Sequence, residues 1–269
     1  MEIVRRVSRC RELCRRFSAS GERLALVTTM GALHDGHLSL IRKGREIADR
    51  VVVSVFVNPL QFGPGEDFEL YPRSMTEDVE KCRSAGVDLV FHPEAAEIYP
   101  ENFSTAVEVG KVTERLCGVN RPGHFRGVAT VVTKLLNIVR PDFAVFGLKD
   151  AQQTVVLRRL IRDLNIPTEL VAVPIVRDPD GVAISSRNQH LSETERQAAT
   201  VLHRALVQAE KRIEEGERNG ARIEEEIGKM MKSEKLAHPE YISLTTAKDL
   251  IPIKTIQGRV LIALAVRIG

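Results

Sequence analysis

The 269-residue sequence lacks several features that would assign it to a specialised class of protein. Its four cysteines, Cys10, Cys14, Cys82 and Cys117, form no C-x-x-C pair, so their spacing predicts neither a disulfide framework nor a zinc site. Such cysteine usage is typical of a reducing compartment. No stretch approaches the roughly 18 apolar residues of a membrane span, and no apolar signal-peptide core follows Met1.

A strong excess of charge is also missing. Lysine and arginine number 39 against 36 aspartate and glutamate, a formal charge of +3, which is too small and too evenly spread to predict nucleic-acid binding. The arginine-rich segment 5–16 could belong to a transit peptide, but its apolar residues keep helical spacing from Val7 to Phe17. We therefore expect an amphipathic helix in a cytoplasmic protein that binds neither nucleic acid nor membranes.

What remains is an ordinary globular composition with a regular alternation of patterns. Short apolar runs alternate with stretches of helical period. The apolar runs lie at 24–28, 51–57, 87–91, 142–146 and 169–173, and the helical patterns at 36–49, 75–86, 124–139 and 150–163. This alternation predicts an α/β fold with a Rossmann-like, doubly wound parallel sheet, its strands ordered 3-2-1-4-5.

The pattern changes after Pro174. A capping box formed by Ser192 and Glu195 predicts a helix that runs to about Glu215, and a charged helix near 219–233 and strands near 241–246 and 258–267 follow. We predict a first domain over 1–176 and a smaller C-terminal α+β domain over 177–269 that covers the active site.

The most informative segment is T-T-M-G-A-L-H-D-G-H at 28–37, directly after the first apolar strand. A helix that begins near Gly36 places His34 and His37 around its first turn. Unpaired N–H groups and the helix dipole favour an anion there by roughly 0.3–1 kcal/mol. The alternatives are an ordinary polar turn or a metal site, and the second is less favoured because no third ligand lies nearby.

Two further segments supply polar and apolar candidates. N-P-L-Q-F-G-P-G-E-D at 58–67 is either a surface loop or a lid whose amides recognise hydroxyls or a carboxylate. R-P-G-H-F-R-G-V-A-T-V-V at 121–132 ends in Val131 and Val132, which either wall a pocket for a compact branched substrate or only pack the helix.

Two charged segments follow the fourth and fifth predicted strands. F-G-L-K-D-A-Q-Q at 146–153 brings Lys149 to where phosphates would lie, while Asp150 could cap a helix or help hold Mg²⁺ through water. I-S-S-R-N at 184–188 combines hydroxyls with a guanidinium, which suits a triphosphate.

Together, H-D-G-H and I-S-S-R resemble the H-I-G-H and K-M-S-K-S pair of class I aminoacyl-tRNA synthetases and related nucleotidyltransferases. More closely, the five segments resemble, in order, the motifs of the pantoate–β-alanine ligase (pantothenate synthetase) family, although Thr29 stands where members commonly have proline. The resemblance implies that ATP and (R)-pantoate give pantoyl adenylate and pyrophosphate, and that β-alanine then displaces AMP to give pantothenate. It also implies Mg²⁺ and a homodimer.

The resemblance implies roles for individual residues. His37, His34, Lys149 and Arg187 would be catalytic. The ATP contacts would be Met30, Gly31, Ala32, Leu33, His34, Asp35, Gly36, His37, Gly147, Leu148, Lys149, Asp150, Val176, Ile184, Ser185, Ser186 and Arg187. Pantoate would contact Gln61, Gln153, Met30, Val131 and Val132. Gln61 would also contact β-alanine, and Asp150 would assist Mg²⁺. Asn58 and Arg121 are weaker candidates.

Three other functions compete with this interpretation. A nucleotidyltransferase acting on a small phosphorylated substrate shares both phosphate signatures but needs neither the two glutamines nor the valine wall. A tRNA-charging enzyme needs an anticodon domain, for which the C-terminal segment leaves little room. A regulatory nucleotide-binding module without catalysis would not need His34, His37, Lys149 and Arg187.

Overall fold

The computed structural model describes residues 1–269, and the contacts divide them into two compact units. The first unit comprises Met1–Gly110 and Arg121–Ile175, and the second comprises Lys111–Asn120 and Val176–Gly269. No sequence pattern indicated that the segment Lys111–Asn120 belongs with the second unit. The assignment of ligand binding to a domain 1–176 and of a covering role to 177–269 stays a prediction.

The first unit is built on a six-stranded, fully parallel sheet with the order β1-β4-β3-β2-β5-β6. Its strands are β1 Glu2–Val4, β2 Leu24–Thr29, β3 Arg50–Val55, β4 Leu89–Phe91, β5 Phe143–Gly147 and β6 Glu169–Val173. The order from β4 to β6 confirms the predicted 3-2-1-4-5 arrangement, and β1 is an additional edge strand.

Helices cover both faces of this sheet, which confirms the doubly wound fold. Those of the first unit are α1 Val7–Ala19, α2 Asp35–Ile47, α3 Met75–Ser84, α4 Ala95–Ile98, α6 His124–Val139 and α7 Ala151–Asp163, and α5 Cys117–Asn120 lies in the second unit. Helices α1, α6 and α7 pack on one face, and α2 and α3 pack on the other. The predicted helix over the arginine-rich N-terminal segment is confirmed as α1.

Close packing of α2 positions the turn that precedes it. A Cβ at Gly44 would lie 3.3 Å from Ala25 Cβ and 3.3 Å from a Val51 methyl, so the glycine lets α2 approach β2 and β3. Ile41 beside it is fully buried, which typically contributes about 1.5–3 kcal/mol. The N-terminus of α2 is thereby held at the carboxyl edge of the sheet, where parallel α/β proteins bind ligands.

The second unit is a small α+β arrangement, as predicted. Besides α5 it contains α8 Glu193–Glu214, α9 Gly220–Ser233 and an antiparallel pair, β7 Ala237–Thr246 with β8 Val260–Ile268. The capping box is confirmed, because the Ser192 side chain accepts from the Glu195 backbone N–H and the Glu195 carboxylate accepts from the Ser192 N–H. In neither unit is a helix both long and apolar enough to cross a bilayer.

Candidate active site

The turn after β2 has an unusual backbone that its own side chains and neighbours support. Gly31 has φ of 88° and Ala32 has φ of 49°, both in the left-handed region that residues with a Cβ rarely adopt. The Thr29 hydroxyl accepts from the Gly31 N–H at 3.2 Å and donates to the Ser54 carbonyl of β3 at 2.9 Å. Thr29 therefore ties the turn to the neighbouring strand.

His34 and His37 lie together at the start of α2, as the sequence predicted. His34 is the residue that precedes the helix and His37 is its third residue, and their rings stack with centroids 4.0 Å apart. The His34 backbone N–H donates to His37 Nδ1 at 3.3 Å, which leaves the proton of the neutral imidazole on Nε2. The N–H groups of Asp35 and Gly36 in the first helical turn have no acceptor within the helix.

The environment keeps the His37 imidazole neutral. Burial is the largest cause that lowers the pKa of His37 to about 3, and positive charge on His34, Lys149 and Lys81 lowers it further, while Asp150 opposes the shift. A neutral imidazole can donate one hydrogen bond to a phosphate. Because the ring carries no charge, no charged imidazolium has to lose its hydration when the phosphate binds. An arriving anion would raise this pKa.

Lys149 and Asp150 follow β5 and lie close enough to influence His37. Both are exposed, and Lys149 Nζ is 3.8 Å from an Asp150 carboxylate oxygen. Asp150 precedes α7, but its side chain makes no capping hydrogen bond, so the helix-capping alternative for this aspartate is wrong. Gly147 and Leu148 lie beside this pair at the same edge.

A short 3-10 turn at Pro59–Gln61 carries Gln61, and the buried Asn58 organises it. The Asn58 amide donates to Gln61 Oε1 at 3.1 Å and to the Gly127 carbonyl at 3.1 Å, and its oxygen accepts from the Tyr99 hydroxyl at 2.7 Å. Asn58 is only 1 % exposed, so it serves here as an internal support. The Gln61 amide also contacts Met30 Sδ at 3.0 Å.

An ion pair supports the other side of this turn. Arg121 Nε donates to a Glu66 carboxylate oxygen at 2.8 Å and holds the pKa of Glu66 below its usual range. Arg121 also contacts His124 at 3.2 Å, and the His124 ring bonds the Gln61 carbonyl at 2.8 Å. A Cβ at Gly127 would collide with the Leu60 carbonyl, so glycine is required where α6 meets the turn.

The remaining pantoate candidates lie on α6 and α7. Val131 and Val132 are 6 % and 3 % exposed and belong to the core between α6 and the sheet, so helix packing accounts for most of their surface. Gln153, in the first turn of α7, is half-buried. Their contact with a substrate stays a prediction.

The other predicted ATP contacts lie in the second unit. There the Ile184 N–H donates to the Val176 carbonyl at 3.0 Å, and the Ser185 hydroxyl accepts from the Arg187 N–H at 3.4 Å. Ser186 begins a 3-10 turn, Ser186–His190. The local structure therefore presents hydroxyls and a guanidinium on one tight turn, and their approach to the histidines of the first unit stays a prediction.

Sequence reasoning missed two residues of α3. The carboxylate of Asp78 accepts from the N–H groups of Ala32 at 2.9 Å and Leu33 at 2.7 Å, and Lys81 Nζ donates to the Leu33 carbonyl at 2.7 Å. The N–H groups of Ala32 and Leu33 are therefore already used, so the ATP contacts predicted for these two residues would have to involve their other atoms. An aspartate and a lysine three residues apart in a charged helix look like solvated surface, so the sequence carried no signal.

The matches to known proteins extend over nearly the whole chain. The model of the family described as pantoate-beta-alanine ligase matches residues 2–269. A pantothenate synthetase of Heliobacterium modesticaldum is 53 % identical over 269 residues, which are 100 % of this chain and 96 % of the relative. A pantothenate synthetase of Carboxydothermus hydrogenoformans is 54 % identical over 250 residues, covering 93 % and 88 % of the two chains.

Solved structures agree with these matches. The pantoate-beta-alanine (pantothenate synthetase) structure from Thermus thermophilus superposes with a TM-score of 0.95 at 42 % identity and covers 100 % of this chain and 95 % of its own. The pantoate-beta-alanine ligase from Francisella tularensis, described as complexed with beta-gamma ATP and beta-alanine, has a TM-score of 0.80 at 31 % identity, with 100 % and 94 % covered.

Proposed function

The chain belongs to the pantoate–β-alanine ligase family and is a ligase that forms a C–N bond, and we propose that it activates (R)-pantoate with ATP at the edge carrying His34 and His37. The observation that carries this proposal is the stacked pair of imidazoles, His34 and His37, at the start of α2, with Lys149 close enough to lower the pKa of His37. Donors and positive charge there suit the phosphates of a nucleotide.

The chemistry requires two steps, because a carboxylate is a poor electrophile and hydroxide-like oxygen is a poor leaving group. In the first step a pantoate carboxylate oxygen attacks the α-phosphorus of ATP, the bond to the bridging oxygen breaks, and pyrophosphate leaves. In the second step the amine of β-alanine attacks the acyl carbon of the enzyme-bound pantoyl adenylate. AMP leaves with the electron pair, and the amine proton passes to solvent.

The residues of the first unit divide these tasks. His37 and His34 donate to the phosphate oxygens, and Lys149 neutralises charge that moves toward pyrophosphate. Gln61 and Gln153 bind the hydroxyls and carboxylate of pantoate, and Gln61 is also placed to meet β-alanine. Met30, Val131 and Val132 provide the apolar wall. The hydrogen bonds from Asn58 to the Gln61 side chain and from Gln61 to Met30 support this division of roles.

We assign further nucleotide contacts to residues of the second unit. Ser185, Ser186 and Arg187 bind the β- and γ-phosphates, while Val176 and Ile184 contact the nucleotide. Arg187 would follow negative charge from the triphosphate to pyrophosphate, because its guanidinium can pair with two oxygens at once. The hydrogen bond between Ile184 and Val176 holds this loop together.

Magnesium fits this site only as a companion of the nucleotide. No group of three histidine, cysteine, aspartate or glutamate side chains could hold a metal ion, so the protein offers no cage of its own. The exposed Asp150 carboxylate fits a Mg²⁺ that is held mainly by phosphates and water. When bound, the ion would neutralise phosphate charge. We further propose that the enzyme is a cytoplasmic homodimer.

The decisive experiment is ATP–pyrophosphate exchange with Mg²⁺. We expect exchange to require pantoate but not β-alanine, and AMP to accumulate in multiple turnovers only when both acids are present. Absence of exchange in folded protein would contradict the adenylate mechanism. Exchange supported by a small phosphorylated substrate instead of pantoate would favour the competing nucleotidyltransferase activity.

A further inference from the structure

We propose that Asp78 and Lys81 of α3 are a positioning pair that holds the 31–33 turn in the shape needed to present His34 and His37. The proposal rests on the function given above and adds two residues to it. Neither side chain is required to touch a substrate, and both act through the turn.

The two side chains bind both kinds of backbone group in the turn, the N–H donors and a carbonyl acceptor. Asp78 is 1 % exposed, and its two carboxylate oxygens accept separately from the N–H groups of Ala32 and Leu33. Lys81 lies three residues later on the same helix face and donates to the Leu33 carbonyl. Leu33 therefore has both its N–H and its C=O fixed by α3, and His34 is the next residue.

The turn needs such support because its backbone is strained. Ala32 has φ of 49°, a conformation that costs free energy for a residue with a Cβ. Successive N–H groups in this geometry form a concave anion site, and here the Asp78 carboxylate is the anion. A Cβ at Gly31 would lie 3.0 Å from the Asp78 Oδ2 atom, so glycine at this position leaves room for the Asp78 carboxylate.

This arrangement has a consequence for phosphate binding. The two turn amides that could have received a phosphate are occupied by an internal carboxylate, so the donors that remain are those of the first turn of α2 and the histidine side chains. The orientation of these donors depends on the backbone at Leu33, which α3 holds in place. Lys81 also contributes to the low pKa of His37 by placing positive charge nearby.

The test separates the two half-reactions. In Asp78→Asn one carboxylate acceptor becomes an N–H₂ group that faces a backbone N–H. We expect the rate of pantoate-dependent ATP–pyrophosphate exchange to fall about 10- to 100-fold, and aminolysis of supplied pantoyl adenylate by β-alanine to change less than about threefold. The first half-reaction alone moves charge on the triphosphate, so the split follows from mispositioned phosphate ligands.

Lys81 provides a rescue experiment. Lys81→Met removes the donor to the Leu33 carbonyl and is expected to lower exchange about tenfold, whereas Lys81→Arg keeps a donor and is expected to restore exchange to within about threefold of the wild type. Hydrogen exchange of the Ala32 and Leu33 amides should accelerate in Asp78→Asn. If Asp78→Asn does not fold, the two Lys81 variants decide.

A matched control is Asp88→Asn. The Asp88 carboxylate also accepts from a backbone amide, that of Val51, and pairs with Arg45 and Arg50, but at the opposite edge of the sheet. The Asp88→Asn variant should lower the free energy of unfolding, and any change in rate should be the same for both half-reactions. Equal effects of Asp78→Asn on both half-reactions, or wild-type exchange in Lys81→Met, would overturn the positioning role. A wild type without pantoate-dependent exchange would overturn the proposed function instead.

Discussion

The two edges of the same parallel sheet use charge in opposite ways. At the amino edge, Arg50 lies between Glu22 at 2.7 Å and Asp88 at 2.8 Å, and Arg45 bonds the same Asp88 at 2.9 Å. Each charge has a close partner, and Asp88 also accepts from a strand amide at 2.8 Å. The named charged groups at this edge are thus paired with other groups of the protein.

At the carboxyl edge two lysines have more distant carboxylate partners. Lys149 lies 3.8 Å from the Asp150 carboxylate, and Lys81 lies 3.8 Å from Glu77. Burial lowers the pKa of His37, and positive charge that includes both of these lysines lowers it further. Paired charges therefore stabilise one edge, whereas positive charge gathered around a neutral donor prepares the other for an anionic ligand.

The largest expected effect comes from removing charge at the carboxyl edge. Loss of one preorganised charge contact typically lowers a rate roughly 10²- to 10³-fold, so Lys149→Ala should lose most pantoate-dependent exchange while it keeps the fold. Exchange and thermal unfolding are measured together. Arg45→Met at the amino edge is the control, and near-normal exchange in Lys149→Ala would reduce Lys149 to a surface lysine.

A change at the amino edge should affect stability instead. Asp88→Asn removes charge from two arginine pairs and weakens the acceptor for the Val51 N–H, so we expect a loss of about 1–3 kcal/mol in the free energy of unfolding. Denaturant titration measures it, and kcat of the complete reaction should stay within about twofold. A large loss of kcat at full folding would mean that this edge also supports catalysis.

The substrate side of the carboxyl edge predicts a smaller, selective effect. Gln153→Ala removes hydrogen bonds to pantoate, and one such bond corresponds to about 1 kcal/mol, so KM for pantoate should rise roughly five- to tenfold. KM for ATP should remain nearly unchanged. Steady-state kinetics with each substrate varied in turn measures both constants, and an equal rise in the two would contradict the pantoate assignment.

The last prediction concerns a pH dependence of stability. The pKa of His37 is about 3 in the folded state and about 6.5 in the unfolded state, so between these pH values only the unfolded state binds this proton. Lowering the pH from 6.5 to 3 should therefore destabilise the fold. The slope of the unfolding free energy against pH should be steeper in the wild type than in His37→Gln. The difference should reach at most the slope that corresponds to one extra proton bound by the unfolded state.

Exposed His238, in β7, provides the control for that experiment. His238→Gln should retain the wild-type slope. If His37→Gln has the same slope as the wild type, His37 is not held neutral by its surroundings.

Local patterns were sufficient for most of the fold. The helical period over 124–139 matches α6 residue for residue, and the Ser192 capping box starts α8 as expected. The strand β1 was missed because three residues are too few to display a period, and its pairing partner Leu89 is far along the chain. The grouping of segment 111–120 with the second unit likewise depends on distant contacts.

The site was predictable where its residues follow strand ends. His34, His37 and Lys149 stand directly after apolar runs, and the carboxyl ends of parallel strands share one edge. Asp78 was not predictable, since its partners Ala32 and Leu33 are 46 and 45 residues away and its own segment resembles any acidic first turn of a helix.

The sequence by itself determined the order of strands and helices and the chemical types of side chain at each strand end, because hydrophobic period and turn chemistry are local properties. Only the tertiary structure decided which donors are available and which groups are charged. The amides of Ala32 and Leu33 are occupied by Asp78, and His37 is neutral through burial and nearby lysines. Desolvation and hydrogen-bond competition depend on residues that only folding brings together.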